Sequence, residues 1–170
     1  MIRPFRGKLP ALGEGAFVAD NAEVIGDVVL GARSSVWFGC VVRADFNEVR
    51  IGEETNLQDL TVVHIAAGKW PTHVGPRVTV GHRAVVHGCT IGALCLIGIG
   101  AIVMDGAVIG DECLLAAGSL VSPGTHIPPR SLALGSPAKV KRALTDGELQ
   151  FLRESAANYV GYASLYRDAR

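Results

Sequence analysis

A six-residue spacing of aliphatic side chains constrains this chain more than any other feature of its sequence. Val, Leu or Ile recurs every six positions in four runs, at 18–42, 51–63, 74–86 and 91–127. The fifth position of each repeat is usually small, as at Ser34 and Ala84. This period fits neither a helix face nor an alternating hairpin, whereas it suits the short strands of a parallel β-helix. The leading side chains are expected to point inward, and the small position lets the chain turn a corner.

The repeat is expected to form a three-sided prism with three hexapeptides in each coil. Two insertions interrupt it. One lies between Val42 and Ile51, and the other lies between Val63 and Val74 and contains a GKWPTH loop. Loops on a rigid scaffold are where binding and catalytic residues are often found. These two places are therefore candidates for a functional site.

The chain changes character after Pro137. Thr145 followed by Glu148 has the pattern of a capping box, and the apolar residues that follow have helical spacing, namely Leu149, Leu152, Ala156, Tyr159, Val160 and Ala163. We therefore expect a β-helix domain over residues 1–140. A C-terminal segment over 141–170 is expected to contain a helix from about 145 to 167 that packs on the prism.

Counting the faces of the prism places polar residues in two columns. Arg43, His64 and His87 each follow the leading residue of the same face on consecutive coils. Neighbouring strands lie ~4.8 Å apart, which lets two imidazoles reach one cation through bonds of about 2.0–2.1 Å. Asp59 and His82 form a second column on another face. The pattern predicts a metal site.

The third ligand of such a site is expected to come from a neighbouring subunit. His82 lies a corner away from His87, and the five residues of extended chain that join them cover up to about 17 Å. A three-sided prism suggests a homotrimer. Three neutral imidazoles with an open fourth position are typical of catalytic Zn²⁺, and Fe²⁺, Co²⁺ or Ni²⁺ can bind the same ligands. His73 and His126 have no such partner and are expected to be solvated.

Four segments resemble the gamma-class carbonic anhydrases and their relatives among hexapeptide-repeat proteins: RADFNEVRIG (43–52), NLQDLTVVH (56–64), VTVGHRAVVHGCTIG (78–92) and GSPAK (135–139). The resemblance covers essentially the whole chain. It implies an all-β fold, a left-handed parallel β-helix with a C-terminal α-helix, and a homotrimer with metal sites between subunits. It also implies that His64 and His87 come from one subunit and His82 from its neighbour. The implied reaction is attack of metal-bound hydroxide on CO2 to give bicarbonate.

The same resemblance assigns roles to four more residues. Gln58 matches the residue that hydrogen-bonds the metal-bound water. Arg43 and Asp59 match a salt bridge between subunits, and Asp45 matches the acid beside that arginine.

The sequence departs from the prototype enzyme at both places that carry proton-transfer glutamates. Phe46 stands where the first is found, and the loop IAAGKWPTH contains no acid where the second is found. Glu48 and Tyr159 are the candidates to complete the site. General acid–base assistance of this kind is worth 10²–10⁴-fold, so CO2 hydration is expected to be slow or absent without a substitute.

Two other functions fit the same scaffold. One is an acyl-CoA thioesterase or acyltransferase, in which the GSPAKVKR stretch brings Lys139, Lys141 and Arg142 to phosphates; the alternative interpretation of this stretch is a hinge at the end of the β-helix. An acyltransferase needs a histidine base, and the candidate histidines are all assigned as ligands, which counts against it. The other is a metal-binding or assembly module without turnover.

Composition and termini point to a cytoplasmic protein. Formal net charge is zero, with 16 basic and 16 acidic residues, so no electrostatic footprint for nucleic acid or an anionic membrane is visible. The first residues, MIRPFRGKLPALGEG, lack the apolar core of a secretory signal, and the longest apolar run, 91–104, is too short and too rich in glycine to span a bilayer. The four cysteines are expected to be small buried thiols.

Overall fold

The computed structural model describes residues 1–169, which form many short strands followed by one helix. The helix, α1, spans Asp146–Asp168. The strands, in chain order, are β1 Ile2–Arg3, β2 Ala11–Leu12, β3 Phe17–Val18, β4 Glu23–Leu30, β5 Ser35–Val36, β6 Val41–Ile51, β7 Asn56–Leu57, β8 Val62–His64, β9 Thr72–Val74, β10 Thr79–Val80, β11 Val85–His87, β12 Thr90–Ile91, β13 Leu96–Ile97, β14 Ile102–Val103, β15 Val108–Ile109, β16 Leu114–Leu115, β17 Leu120–Val121, β18 His126–Ile127, β19 Ser131–Gly135 and β20 Ala138–Ala143.

These strands form the three faces of a left-handed parallel β-helix of about seven turns. The first face contains the start of β6 with β8, β11, β14 and β17, and the second contains the end of β6 with β9, β12, β15 and β18. The third face is a separate sheet of eight strands, from β3 to β20. The first two faces belong to one sheet because β4 and β6 run through the corner between them. The fold class expected from the repeat and the resemblance is confirmed.

The leading aliphatic side chains fill the interior of the prism, as the repeat predicts. Leu30, Val42 and Leu57 have no exposed surface, and burial of such a side chain contributes about 1.5–3 kcal/mol. The small side chains of the fifth position are buried inside the corners, where the polar ones satisfy backbone carbonyls. Ser34 Oγ, for example, donates to the carbonyl of Gly31 at 2.7 Å.

The corner itself is made by the residue just before the small position. This fourth residue adopts a left-handed backbone conformation, with φ of +53° at Arg33, +57° at Glu54 and +55° at Arg77. Such a conformation costs a non-glycine residue about 1–2 kcal/mol, and glycine takes the same place at Gly106 and Gly118. The small position therefore makes room for the corner, and its predecessor takes the bend.

Helix α1 lies against the third face, where it contacts β3, β5, β7 and β10. Its start carries the predicted capping box: Thr145 accepts from the backbone N–H of Glu148, whose carboxylate accepts from the backbone N–H of Thr145 at 2.8 Å. The side chains with the predicted helical spacing that face the prism are Leu149, Leu152, Ala156 and Ala163. Strand β20 continues past residue 140, so the helical segment proper begins at Asp146. In the described part of the chain, α1 is not apolar enough to cross a membrane.

All four cysteines are buried and carry free thiols, as the sequence predicts. Burial raises the pKa of the Cys40 thiol to about 11 and that of Cys89 to about 12. These thiols stay protonated at neutral pH and belong to the core.

Candidate metal centre

Two of the predicted ligands, His64 and His87, are direct neighbours on the first face. Strands β8 and β11 pair in parallel with Val63 opposite Val86 and His64 opposite His87. Because the two valines point into the prism, the alternation of a strand turns both imidazoles outward. Nδ1 of His64 lies 3.1 Å from Nε2 of His87, and the two ring centroids are 5.1 Å apart. The column predicted from the repeat is therefore present.

This spacing fits a shared cation. In a tetrahedral site with metal–nitrogen bonds of ~2.0–2.1 Å, two coordinating nitrogens lie about 3.3 Å apart. The facing nitrogens of His64 and His87 are within a few tenths of an ångström of that separation. Two rigid imidazoles held at this distance on adjacent strands form a preorganised pair of ligands.

A carboxylate holds the other nitrogen of each imidazole. Nε2 of His64 lies 3.1 Å from Oδ1 of Asp45, and Nδ1 of His87 forms a hydrogen bond with Oδ1 of Asp105. Asp45 also forms an ion pair with Arg43, which precedes His64 in the column. A carboxylate behind a histidine fixes the tautomer and the ring orientation of a metal ligand. Both members of the pair thus have the support that metal-binding histidines usually have.

The surroundings of His64 and Asp45 lower the pKa of both groups, which favours neutral His64 and ionised Asp45. Burial lowers the pKa of His64, the hydrogen bond with Asp45 opposes that change, and the positive charge of Arg43 adds to it. The pKa of Asp45 is also lowered, because the hydrogen bond from His64 and the charge of Arg43 outweigh the effect of burial, which raises it. Neutral imidazole is the form that binds a cation.

Thr72 and Gly88 tie the two histidine strands to the GKWPTH loop. The Thr72 hydroxyl donates to the carbonyl of His64 and accepts from the backbone N–H of Gly88 at 2.9 Å. A Cβ at Gly88 would lie 2.6 Å from Oδ1 of Asp105 and 3.1 Å from Cβ of Trp70, at a φ of +55°. Only glycine lets the Asp105 carboxylate approach here.

The other predicted residues gather on the third face. His82 lies in register with Asp59, and its Nδ1 is 2.9 Å from Asp59 Oδ2. Gln58 is buried beside them, and its Nε2 donates to Asn56 Oδ1 at 3.4 Å. Tyr159, on α1, packs edge-on against Trp37 and lines a pocket with Asp59. Burial, followed by the negative charge of Asp59, raises the pKa of Tyr159.

The predicted ligands therefore form two groups on two different faces of the chain, which we call half-sites. His64 and His87 form the first, and His82, with Gln58 and Asp59, forms the second. Among residues 1–169, no three or more side chains of His, Cys, Asp or Glu are arranged to hold a metal ion.

Glu48 lies in a third environment, at the end of the first insertion. Its carboxylate accepts from Nη2 of Arg50 at 2.8 Å and lies 2.9 Å from Nε2 of His73. The His73 side chain is 42% exposed, as expected of a solvated residue, and its contact with Glu48 is one that the sequence did not predict. Phe46 is half-exposed and stacks edge-on against Phe5, 5.6 Å away.

Asp105 and Thr72 are the residues of the centre that sequence reasoning missed. Asp105 lies on the coil above His87 and follows the inward-facing Val103 by two positions. The sequence position of Asp105, two residues after an inward-facing residue of the first face, could have indicated its role, because a polar side chain there lies next to the histidine column. No sequence signal distinguishes Thr72 from the other small polar residues of the repeat.

Comparisons with known proteins place this geometry in a family. A model of the bacterial transferase hexapeptide (six repeats) matches residues 88–123. Gamma carbonic anhydrase 2, a protein of Arabidopsis thaliana named as mitochondrial, is 46% identical over 164 residues, 94% of this chain and 59% of that protein. Carbonic anhydrase of Geobacillus kaustophilus is 40% identical over 167 residues, 98% of this chain and 91% of that protein.

A solved structure matches nearly the whole fold. The crystal structure of a hexapeptide transferase family protein from Anaplasma phagocytophilum has a TM-score of 0.94 at 41% identity and covers 98% of both chains. The chain spans about three fifths of the length of the Arabidopsis relatives. With its extensive match to the Geobacillus enzyme, the chain belongs to the gamma-class carbonic anhydrase family of hexapeptide-repeat proteins.

Proposed function

We propose that this protein is a metal-dependent carbonic anhydrase that catalyses the reversible hydration of CO2 to bicarbonate. The observation that carries the proposal is the pair of facing imidazoles of His64 and His87, each supported by a carboxylate. Relatives named carbonic anhydrase, at 40% identity or more over nearly the whole chain, support the same reaction.

Zn²⁺ is the proposed metal, and Fe²⁺, Co²⁺ or Ni²⁺ can take the same three imidazole ligands. When bound, such a cation lowers the pKa of a coordinated water toward 7 and so supplies a nucleophile at neutral pH. His64 and His87 of one subunit and His82 of another would hold it. Asp45 and Asp105 keep the first two imidazoles in place and in one tautomer.

The proposed assembly is a homotrimer in which the first face of each subunit meets the third face of the next. The outward side chains beside the histidine column form an apolar stripe, Val41, Val62, Val85, Ile102 and Leu120, in register on adjacent strands. Val62 is 39% exposed and Ile102 is 37% exposed. Contiguous apolar surface of this kind marks an interface between proteins, and a closed ring of identical contacts would bury all of it.

Each polar residue near the two half-sites has a proposed task in the assembled site. Gln58 would orient the reacting water through its amide. Arg43 of one subunit would pair with Asp59 of the next and fix the relative position of the two half-sites. Tyr159 would close the pocket beside Asp59, and Glu48 would act in proton transfer.

Acyl transfer to or from coenzyme A is less well supported by the contacts. Arg142, one of the three basic residues of the tail, is bound by both carboxylate oxygens of Glu148, at 2.7 and 2.8 Å. The proposed metal would occupy the facing nitrogens of His64 and His87, which would leave neither free to act as a base. The tail thus fits a hinge between β20 and α1 better than a phosphate site.

A reducing compartment, the cytoplasm, is the proposed location. The four cysteines are buried as free thiols, and thiols persist in that state where glutathione and thioredoxin keep them reduced.

Stopped-flow CO2 hydration, with metal content measured on the same anaerobically purified sample, tests the proposed function. Activity that rises with bound metal and disappears in His82→Ala is expected. His126→Ala is the matched control, because His126 is an exposed histidine outside both half-sites and should leave activity and metal content unchanged. Stoichiometric metal without hydration would refute CO2 as the substrate while leaving the metal site in place.

A further inference from the structure

Hydration of CO2 produces bicarbonate and one proton, and that proton must leave the site before the next turnover. Proton transfer by a positioned side chain is worth about 10²–10⁴-fold. Neither of the two places expected to carry a glutamate has one. Phe46 stands at the first, and the loop at the second contains no acid. If the proposed function holds, a different group must move the proton to solvent.

His73 and Glu48 form an acid–base pair at the surface beside the metal centre. His73, in β9, places Nε2 at 2.9 Å from Oε1 of Glu48, in β6. Their side chains are 42% and 38% exposed, so both exchange protons with bulk water. Histidine is the residue type that takes up and releases protons between pH 5 and 8. The pair combines the chemistry of a proton carrier with access to buffer.

The charges around the pair hold the Glu48 carboxylate in place. Nη2 of Arg50 lies 2.8 Å from Glu48 Oε2 and 2.9 Å from Asp27 Oδ1, and Asp27 also pairs with Lys8. The neighbour of His73 on the next strand, Thr90, is uncharged. When Nε2–H of His73 donates a hydrogen bond to Glu48, the neutral ring carries its lone pair on Nδ1, which can accept an incoming proton.

The pair lies one corner away from the ligands. His73 is in register with Thr90, three residues after His87. Three extended residues cover at most about 11 Å and adjacent strands lie ~4.8 Å apart, so the Cα atoms of His73 and His87 are at most about 12 Å apart. This separation is longer than a hydrogen bond, so the proton would have to cross it through a chain of water molecules.

Two further contacts connect this corner to the first half-site. The hydroxyl of Thr72, the residue before His73, donates a hydrogen bond to the carbonyl of His64. Asp45, which holds the imidazole of His64, lines the same surface pocket as Glu48. Asp45 and Asp105 are nearer to the ligands, but each is bound to one of them and is not available to carry a proton to solvent.

We propose that His73 and Glu48 form the proton relay of this enzyme. The proton released by the reacting water passes through solvent water to Nδ1 of His73. The imidazolium then loses one proton to buffer. Loss from Nδ1 restores the starting tautomer directly, whereas loss from Nε2 through Glu48 leaves a proton on Nδ1, and the ring regains its starting tautomer by exchanging protons with water. Proton and charge balance, and no other reactant is needed.

Buffer dependence of CO2 hydration separates this relay from the chemistry it serves. In His73→Ala, kcat in about 1 mM buffer is expected to fall about 100-fold, whereas kcat/KM, which reports CO2 conversion itself, and metal content stay at wild-type values. Added imidazole buffer should restore kcat. Glu48→Gln is expected to lower kcat in dilute buffer, as His73→Ala does, and to leave the fold intact.

His126→Ala is the matched control, because His126 lies three strands along in the same column of the second face, through Thr90 and Val108. It should leave kcat unchanged at every buffer concentration. A second readout needs neither metal nor substrate: ¹⁵N chemical shifts of His73 should show a proton on Nε2 in the wild type and a mixture of tautomers in Glu48→Gln.

The possible results are distinct. A kcat of His73→Ala that equals the wild-type value in dilute buffer, or that imidazole does not restore, overturns the relay. A parallel loss of kcat/KM and bound metal would make His73 a structural residue and overturn it as well. Wild-type protein with bound metal but without a measurable kcat/KM would overturn the proposed function and the relay together.

Discussion

Asp105 is the residue whose substitution tests the metal centre most sharply, because its carboxylate forms a hydrogen bond with a predicted ligand. In Asp105→Asn the amide has nearly the same shape but carries no charge for Nδ1 of His87. Loss of such a carboxylate typically costs 10–100-fold in metal affinity, which corresponds to about 1.4–2.7 kcal/mol. We expect the Kd for Zn²⁺ or Co²⁺ to rise by that factor, measured by competition with a chromophoric chelator.

Gly88→Ala should reproduce this effect from the other side. Its methyl group would stand 2.6 Å from Oδ1 of Asp105 and must displace the carboxylate. The double variant is then expected to bind metal no more weakly than the weaker of the single variants, because both remove one contact. Asp111→Asn is the control: the Asp111 carboxylate accepts from the backbone N–H of Ala93, away from the predicted ligands. An unchanged Kd in Asp105→Asn, or fully additive losses in the double variant, would refute the role of Asp105.

Three further predictions concern the helix and the bound metal. Thr145→Ala removes the N-cap of α1 and should lower the free energy of unfolding in urea by about 1 kcal/mol, whereas Ser at this position should restore it. The pKa of Glu148 is lowered to about 2, chiefly by Arg142. The contribution of Glu148 to stability is therefore present above pH 4.5 and is lost as the pH falls toward 2. Glu148→Gln should flatten the acid side of a pH–stability curve, and an unchanged slope would contradict this. A ligand that binds only the folded state at 100 times its Kd adds about 2.7 kcal/mol, so chelation should lower Tm in the wild type and leave the Tm of His82→Ala unchanged.

The repeat made the architecture readable from the sequence because each inward position is occupied by the same kind of side chain. Val42, Val63 and Val86 lead repeats on one face, so counting alone brought His64 next to His87. The same count placed His82 with Asp59, and the register of the strands agrees. The capping box marked the start of α1 within one residue.

Contacts that cross the insertions could not be predicted in the same way. The extra residues before Ile51 change the register, so the sequence does not show that Glu48 reaches His73. Asp105 contacts His87 only because Gly88 leaves room for it, and a close approach of this kind depends on the path of the backbone. The insertions break the repeat, and they also determine the surroundings of the histidines.

The central claim is that each metal site takes His64 and His87 from one chain and His82 from another. Co-expression of a His82→Ala chain with a His64→Ala chain tests it directly, since neither chain can build a site with its own kind. In a randomly mixed trimer, about one quarter of the interfaces combine the intact first face of one chain with the intact third face of another. We expect recovery of about a quarter of the wild-type metal content in the mixture and none in either variant alone. Full metal retention in His82→Ala alone, or no recovery on mixing, would show that the site is not shared in this way.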